Sequence, residues 1–353
     1  MVRVAVLGAS GYIGGELLRL LIRHPKVELT LASSRRHAGE YVFRVHPNLR
    51  GMTDLKFAEG KTSSVTEVSD LVFAALPHGE SVKHVPELAD VGLKLVDLSA
   101  DFRLKDPKLY GTWYGYEHPR PDLLNDFVLS VPEINREKVA GARLVASPGC
   151  MAITSILALS PLFREKGLGI NGDRIVVDAK IGSSGAGGKP SVSTHFSERY
   201  GVVRPYAPAG HRHSAEIEQV LSEVSGAPAR VSMSAHAVNM VRGILSTCHV
   251  FTDRDLEPVD LWKAYRSAYS GSYFVRLVRD KKGPFRLPDP KLVVGSNFCD
   301  VGFEIEGRTR RVVAMGATDN LVKGAAGNAI QSMNLMLGLD EKTGLDVAPL
   351  HPV

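Results

Sequence analysis

Val2-Arg-Val-Ala-Val-Leu-Gly8-Ala-Ser-Gly11-Tyr-Ile-Gly14-Gly-Glu16-Leu-Leu-Arg-Leu-Leu-Ile-Arg-His24 opens the chain. Val2 to Leu7 is apolar apart from Arg3 and reads as a strand. Glu16 to His24 reads as a helix, closed by Pro25. Three glycines with the spacing GxxGxxG lie between them. Strand, glycine turn and helix in that order form a dinucleotide-binding arrangement. Gly8 and Gly11 let the backbone approach a pyrophosphate, and Gly14 lets the helix pack closely on the strand. A bare glycine triplet is a weak signal; its place directly after an apolar strand makes it strong.

The pattern continues outward. Val27 to Ala32 is a second strand, followed by Ser33-Ser34-Arg35-Arg36. An NAD site places an acid here to hold the ribose hydroxyls. Two hydroxyls and two guanidinium groups suit a 2′-phosphate instead, so NADP(H) is the expected cofactor. The bland alternative, a solvated charge cluster, is weakened by its distance of about 25 residues from Gly8. Leu71 to Leu76 and Lys94 to Leu98 are further apolar strands, and Ser81 to Leu88 is helical. Ligands bind in loops at the carboxyl ends of such strands. His78, Ser99, Asp101 and Arg103 are therefore site candidates, with loop capping an equal alternative for each. Tyr110 to His118 reads as an aromatic, Gly-rich loop whose Trp113, Tyr114 and Tyr116 pack.

Leu144-Val-Ala-Ser-Pro-Gly-Cys150-Met-Ala-Ile-Thr-Ser-Ile-Leu is a second strand-turn-helix unit. It places Cys150 at a helix start, where unpaired N–H groups and the dipole favour a thiolate. Cys150 is the candidate nucleophile. A small buried Cys that happens to open a helix is the alternative. Gly182-Ser183-Ser184-Gly185-Ala-Gly187-Gly188-Lys189 follows a strand from Arg174 to Ile181; its N–H groups can cradle phosphate, and a flexible linker is the alternative that its place straight after a buried strand disfavours. In His211-Arg-His213-Ser214, Ser214 is the expected N-cap of a helix through Val224. His211 is the expected acid/base, with His213 in a supporting or surface role. No third ligand accompanies the two histidines at a known spacing, so no metal is expected. Arg103, His213 and Lys180 are the candidate substrate-binding residues. Beyond Ala229 the chain is strand-rich, with a helix over Leu256 to Tyr269 and a hairpin turn over Glu304 to Arg308, with Gly307 in it. Cys248 and Cys299 read as packing residues. Arg276, Arg279, Lys281, Lys282 and Arg286 form a basic cluster, either a solvated loop or a docking patch for something acidic.

The chain has 353 residues, long enough for two domains, and a net charge of +5, which fits an anionic substrate, cofactor or partner. No Lys/Arg run points to nucleic acid, and no apolar run approaches a membrane span. Three cysteines without a CxxC pair argue against a disulfide framework, and a reducing cytoplasm is expected. Cysteine, histidine and nicotinamide together are the equipment for interconverting an aldehyde and an activated acid through a thioester.

The ordered motifs Gly8-Ala-Ser-Gly-Tyr-Ile-Gly14, Ala75-Leu-Pro-His-Gly79, Leu98-Ser-Ala-Asp-Phe-Arg103, Ser147-Pro-Gly-Cys150, Gly185-Ala-Gly187, His211-Arg-His213, Gly295-Ser-Asn297 and Asp319-Asn-Leu-Val-Lys-Gly-Ala-Ala-Gly327 carry a resemblance over essentially the whole length. The chain resembles the N-acetyl-gamma-glutamyl-phosphate reductase family, relatives of the aspartate-semialdehyde dehydrogenases. The resemblance implies attack of Cys150 on an acyl phosphate, reduction of the thioester by NADPH, and proton transfer by His211. It also implies cofactor contacts from Ser10, Gly11, Tyr12, Ile13, Ser34, Arg35, Arg36 and Asn320, and a homo-oligomer. One departure matters. Arginine-pathway members follow the Cys with an aromatic residue and Pro, and precede the Pro with Asn. This chain has Ser147-Pro-Gly-Cys150-Met151-Ala152. That form resembles the branch acting on an aminoadipyl or glutamyl phosphate held on the small acidic amino-group carrier protein LysW. The N-acetyl enzyme of arginine synthesis is the second reading; aspartate-semialdehyde dehydrogenase and a non-catalytic NADP-sensing regulator stand behind it. The expected architecture is α/β: a Rossmann-type NADP-binding domain over residues 1–149, completed by a C-terminal helix within 320–353. A mixed α/β catalytic and oligomerisation domain is expected over 150–319.

Overall fold

The computed structural model describes residues 1–353. The chain forms two compact units, residues 1–148 with 325–346 and residues 149–324 with 347–353.

Unit one begins with β1 (Val2–Leu7), α1 (Tyr12–Leu21) and β2 (Val27–Ser33). The short α2 (Val42–Val45), β3 (Phe57–Ala58) and α3 (Thr62–Val68) follow. Then come β4 (Leu71–Ala74), α4 (Ser81–Asp90) and β5 (Lys94–Asp97). α5 (Lys108–Tyr114), β6 (Phe127–Leu129), α6 (Pro132–Ala140) and β7 (Leu144–Ala146) complete the series. The seven strands are parallel, in the order β3-β2-β1-β4-β5-β7-β6. Every residue of β4 and β7 is buried, as parallel strands covered on both faces require. Strand order reverses at β1, which lies between β2 and β4, and the crevice beyond their carboxyl ends is where such sheets bind ligands.

α1 starts four residues earlier than its leucine pattern, because Gly11 already takes the extended N-cap conformation. The expected loop at Tyr110 to His118 is mostly helix: α5 runs to Tyr114 and stops at Gly115, with φ +76°. Burial explains the difference. Tyr110 is fully buried, and its hydroxyl meets the Leu104 N–H at 3.1 Å, which fixes the segment whatever its local propensity.

Unit two begins with α7 (Cys150–Arg164) and β8 (Ile175–Ile181). Next are α8 (Phe196–Arg199), β9 (Val203–Ala207), α9 (His213–Ser225), β10 (Val231–Val238) and β11 (Ile244–Phe251). α10 (Pro258–Tyr269), β12 (Val275–Leu277), β13 (Cys299–Glu306) and β14 (Arg311–Thr318) close it. The sheet is mixed, ordered β12-β13-β14-β11-β8-β10-β9. Alternate residues of β10 and β11 are buried, so one face carries the core. α7 lies on that face: the Ser155 and Ser246 hydroxyls are 3.0 Å apart, and those of Thr154 and Thr318 are 2.7 Å apart. From α10, Tyr265 and Tyr269 donate to the Ala158 and Leu157 carbonyls of α7 at 2.6 and 2.5 Å. The hairpin turn between β13 and β14 falls later than expected. A 3-10 turn covers Gly307–Thr309, and the left-handed position belongs to Arg310, at φ +50°.

After β14 a π-helical turn (Val322–Ala326) leads into α11 (Gly327–Met336), which joins unit one. There Asn328 donates to the Ser130 carbonyl at 3.0 Å, and the Ser332 and Ser130 hydroxyls are 2.7 Å apart. The returning segment is shorter than the expected 320–353. Asn320 is tied to Ser184 and the Leu350 N–H to the Val294 carbonyl, which keeps both ends of that stretch in unit two. No helix is long and apolar enough to cross a membrane.

A Cβ at Gly14 would sit 2.6 Å from the Ala9 Cα and the Gly8 carbonyl oxygen, and backbone cannot yield as a side chain can. Gly14→Val is expected to cost about 1–3 kcal/mol through overpacking, read as a lower melting temperature together with weakened dinucleotide binding.

Candidate active site

The sequence-predicted residues fall into two groups, one in each unit. In unit one, Gly8 has φ +71°, and a Cβ there would meet the Ala75 carbonyl oxygen at 2.3 Å, so only glycine allows this turn. α1 has no side-chain cap and no acid in its first turn, which leaves its N-terminus suited to an anion. Ser10 and Ser34, from the turns after β1 and β2, place their hydroxyls 2.9 Å apart. Arg35 and Arg36 follow at the surface, and no carboxylate stands at the end of β2. Gly8, Ser10 and Gly11 lie in the turn after β1, Tyr12, Ile13 and Gly14 in the first turn of α1, and Ser34, Arg35 and Arg36 directly after β2. Their donors suit a dinucleotide.

The neighbouring loops serve the backbone more than a ligand. Asp101 is fully buried, and its carboxylate accepts from the Gly79 and Val82 N–H groups and the Tyr116 hydroxyl at 2.8–3.0 Å. His78 Nδ1 accepts from the Ala100 N–H at 2.9 Å. Asp97, buried and bonded by Ser81 and Ser99, is pushed up to about 6 by burial. Arg103 is 5% exposed, and it donates to the Ser147 and Leu98 carbonyls at 2.8 and 3.0 Å. It braces the turn that leads to Cys150.

In unit two, Gly149 is the N-cap of α7 and Cys150 its first residue, partly exposed. The Gly149 N–H donates to Glu216 Oε2 at 2.6 Å, which spends that donor and leaves it unavailable to an oxyanion. A Cβ on Gly149 would fall 2.1 Å from His213 Nε2, so the imidazole lies directly over this residue. A Cβ on Gly324, within the π-helical turn, would fall 2.8 Å from the Cys150 Cβ. π-turns inside helices recur at functional sites. Asp319 holds that turn by accepting from the Leu321 N–H at 2.8 Å, the Gly295 N–H at 2.8 Å and Arg242 Nη1 at 3.1 Å.

His211 and His213 lie edge to face, 4.5 Å between centroids, and His211 Nδ1 accepts the His213 N–H at 3.1 Å. Burial first and Arg212 second push His211 down to about 4, so it is a neutral base over the ordinary pH range. His213 is only 6% exposed and so is no surface residue. Ser214 does not cap. Arg212 is already helical and α9 starts at His213, so the Ser214 hydroxyl falls inside the first turn without a partner. Tyr206 approaches from β9, with its hydroxyl 3.9 Å from Met151 Sδ. Burial of the phenol and the neighbouring Cys150 raise it to about 12.

Asn320 is brought to the turn that holds Ser183 and Gly185, with Ser184 as its partner. Asn320 Nδ2 donates to the Ser184 hydroxyl at 2.9 Å, and its Oδ1 accepts from the Gly243 N–H at 2.8 Å. Lys180 is not brought to the thiol. It alternates with buried Ala179 and Ile181, so it lies on the sheet face opposite α7, where it pairs with Asp178 at 2.9 Å. The basic cluster is largely neutralised. Arg276 binds Asp300 through two nitrogens at 2.6 and 2.9 Å, and Arg279 and Arg286 both reach Glu304. Lys281 and Lys282 remain as exposed cations with no ion pair. No three His, Cys, Asp or Glu side chains group as metal ligands. Cys248 is fully buried, and burial pushes its thiol up to about 12.

Sequence reasoning missed Glu216 and Tyr206. Glu216 had one signal: it lies three residues after His213, on the same face of the helix. Tyr206 had none, because an edge strand carries it to the site.

Two family models cover the chain: the semialdehyde dehydrogenase NAD-binding domain over residues 3–142 and the semialdehyde dehydrogenase dimerisation domain over 150–320. The chain belongs to the semialdehyde dehydrogenase family of oxidoreductases. A Saccharolobus solfataricus protein, [LysW]-L-2-aminoadipate/[LysW]-L-glutamate phosphate reductase, is 47% identical over 99% of both chains. A Nitrosopumilus maritimus protein, given the same name provisionally, is 56% identical over 99% of this chain and 100% of its own. Solved structures share the fold at low identity. Aspartate-semialdehyde dehydrogenase with NADP from Candida albicans matches with TM-score 0.72 and 18% identity, over 96% of this chain and 98% of its own. The Vibrio cholerae aspartate-semialdehyde dehydrogenase II complex gives 0.69 and 20%, with the same coverage.

Two outcomes follow from this geometry. His211 has its folded pKa below the unfolded value, so its stabilising contribution is complete above about pH 6.5 and is lost as pH falls from there toward 4. A His211→Asn variant is expected to show a flatter fall in melting temperature across that window than the parent. Glu216→Ala orphans the buried Gly149 N–H and is expected to cost about 1–3 kcal/mol in thermal denaturation, while Glu216→Gln, which still accepts, keeps most of it.

Proposed function

We propose that this protein reduces an acyl phosphate to a semialdehyde, the acid being 2-aminoadipate or glutamate carried on LysW, in lysine and arginine biosynthesis. The observation that carries this reading is identity of about half over essentially the whole chain with proteins so named, joined to a cysteine at the open start of α7. The Cys150 thiolate would attack the acyl carbon and break its bond to phosphate oxygen, leaving a thioester on Sγ and free phosphate. NADPH, when bound, supplies the hydride that reduces the thioester. Collapse of the resulting thiohemiacetal breaks the C–S bond, releases the aldehyde and restores the thiolate. His211, with His213 packed over Gly149, would hold and return the proton that the tetrahedral oxygen needs. Backbone N–H groups of the first turn of α7 remain for that oxygen, the Gly149 donor being occupied by Glu216.

Choice of NADPH over NADH is supported by Ser10, Ser34, Arg35 and Arg36 and by the missing carboxylate after β2. Gly8, Gly11 and Gly14, with Tyr12 and Ile13, would hold the pyrophosphate at α1. Ser183, Gly185 and Asn320 would complete the cofactor contacts. A homo-oligomer is supported by the dimerisation description of residues 150–320. Three free thiols, one of them the nucleophile, support a reducing compartment, the cytoplasm.

The test is NADPH oxidation with LysW-bound aminoadipyl and glutamyl phosphates, beside free N-acetylglutamyl phosphate. Turnover with the carrier-bound substrates and a loss of at least about 10³-fold in Cys150→Ser are expected. Turnover with the free acetylated compound alone would move the protein to the second reading. Full activity in Cys150→Ser would rule out the thioester route.

A further inference from the structure

Arg35 is an exposed side chain beside a proposed phosphate site, and a free arginine there would lose rotamer entropy on binding. It is not free. Arg35 Nη2 lies 2.6 Å from Nε2 of His84, a half-buried residue on α4, 49 positions further along the chain. We propose that His84 is a positioning residue for NADPH selectivity: it holds Arg35 beside the Ser10–Ser34 hydroxyl pair, where the cofactor's 2′-phosphate would sit. This inference rests on the NADPH reading above.

The chemistry of the pair supports it. A guanidinium has five donors and no acceptor, so His84 Nε2 must be the acceptor, with the ring neutral and its proton on Nδ1. A carboxylate in that place would hold Arg35 more strongly, but it would cancel the positive charge and set an anion against the phosphate. A neutral imidazole fixes the guanidinium and leaves its charge whole. The nearby acid does not compete, since Glu80 is engaged by Lys83 at 2.5 Å. The four groups Arg35, Glu80, Lys83 and His84 thus carry a net charge of +1, which remains on Arg35 because Lys83 and Glu80 offset each other. Pre-orienting a long side chain before the ligand arrives is a general route to affinity.

The experiment is equilibrium titration with NADPH and with NADH, followed by cofactor fluorescence, on the full chain and on His84→Ala, His84→Gln and Arg35→Ala. His84→Ala is expected to weaken NADPH binding about three- to tenfold, the range for one rotamer-rich side chain, and to leave NADH within about twofold. Unchanged NADH binding also reports that the variant is folded. His84→Gln, whose carbonyl can accept from Arg35, is expected to restore most of the NADPH affinity. If Arg35→Ala weakens NADPH selectively and His84→Ala does not, the role of His84 is overturned while the cofactor reading stands. Equal affinity of the parent for NADPH and NADH, indifferent to Arg35→Ala, would overturn both.

Discussion

Cys150 sits between two glycines at which an added Cβ would collide with its neighbours. Gly149 lies under the His213 ring, and Gly324 lies against the Cys150 Cβ. Close packing of this kind leaves little room for the Cys150 side chain to shift. The rest of unit two is arranged to maintain it. α7 is pinned to the sheet by paired hydroxyls, α9 presents His213 and Glu216 to its start, and the carboxylate of Asp319 holds the π-turn that carries Gly324. A thiol placed in this way would need little reorganisation to act as the proposed nucleophile.

Unit one uses the same device for a different purpose. Gly8 and Gly14 bring β1, α1 and the β4 loop into contact that a methyl group would prevent. The N-terminus of α1 is thereby left bare toward the crevice at the reversal of strand order. Around it, polar side chains that look available in sequence are already committed. Asp101 caps two N–H groups, and Arg103 fills two carbonyls. Buried polar groups must be satisfied, and loops at strand ends have many of them, so capping outcompetes ligand binding for most candidates in such positions.

The elements legible from sequence were those with a local cause. Glycine spacing, the apolar runs of β4 and β7, and the Pro-Gly turn before Cys150 each act within a few residues. The pairing of arginines and serines after β2 belongs to this class, as does the absence of an acid there. Boundaries were less legible. Gly11 started α1 early, Arg212 displaced Ser214 as the start of α9, and the buried Tyr110 imposed a helix on an expected loop.

The sequence by itself determined the dinucleotide unit, the helix-start cysteine and the histidine pair, because backbone sterics and helix-end chemistry are short-range. Only the tertiary structure decided which polar groups face them. It brought Glu216 and Tyr206 to Cys150, turned Lys180 to the other face of its sheet, and spent Arg276, Arg279 and Arg286 on Asp300 and Glu304. Those outcomes depend on sheet order, on the two-residue alternation of strands and on pairings 18 to 67 residues apart in the chain. No local pattern encodes them, because the partner that satisfies a charge is chosen only when the chain has folded back upon itself.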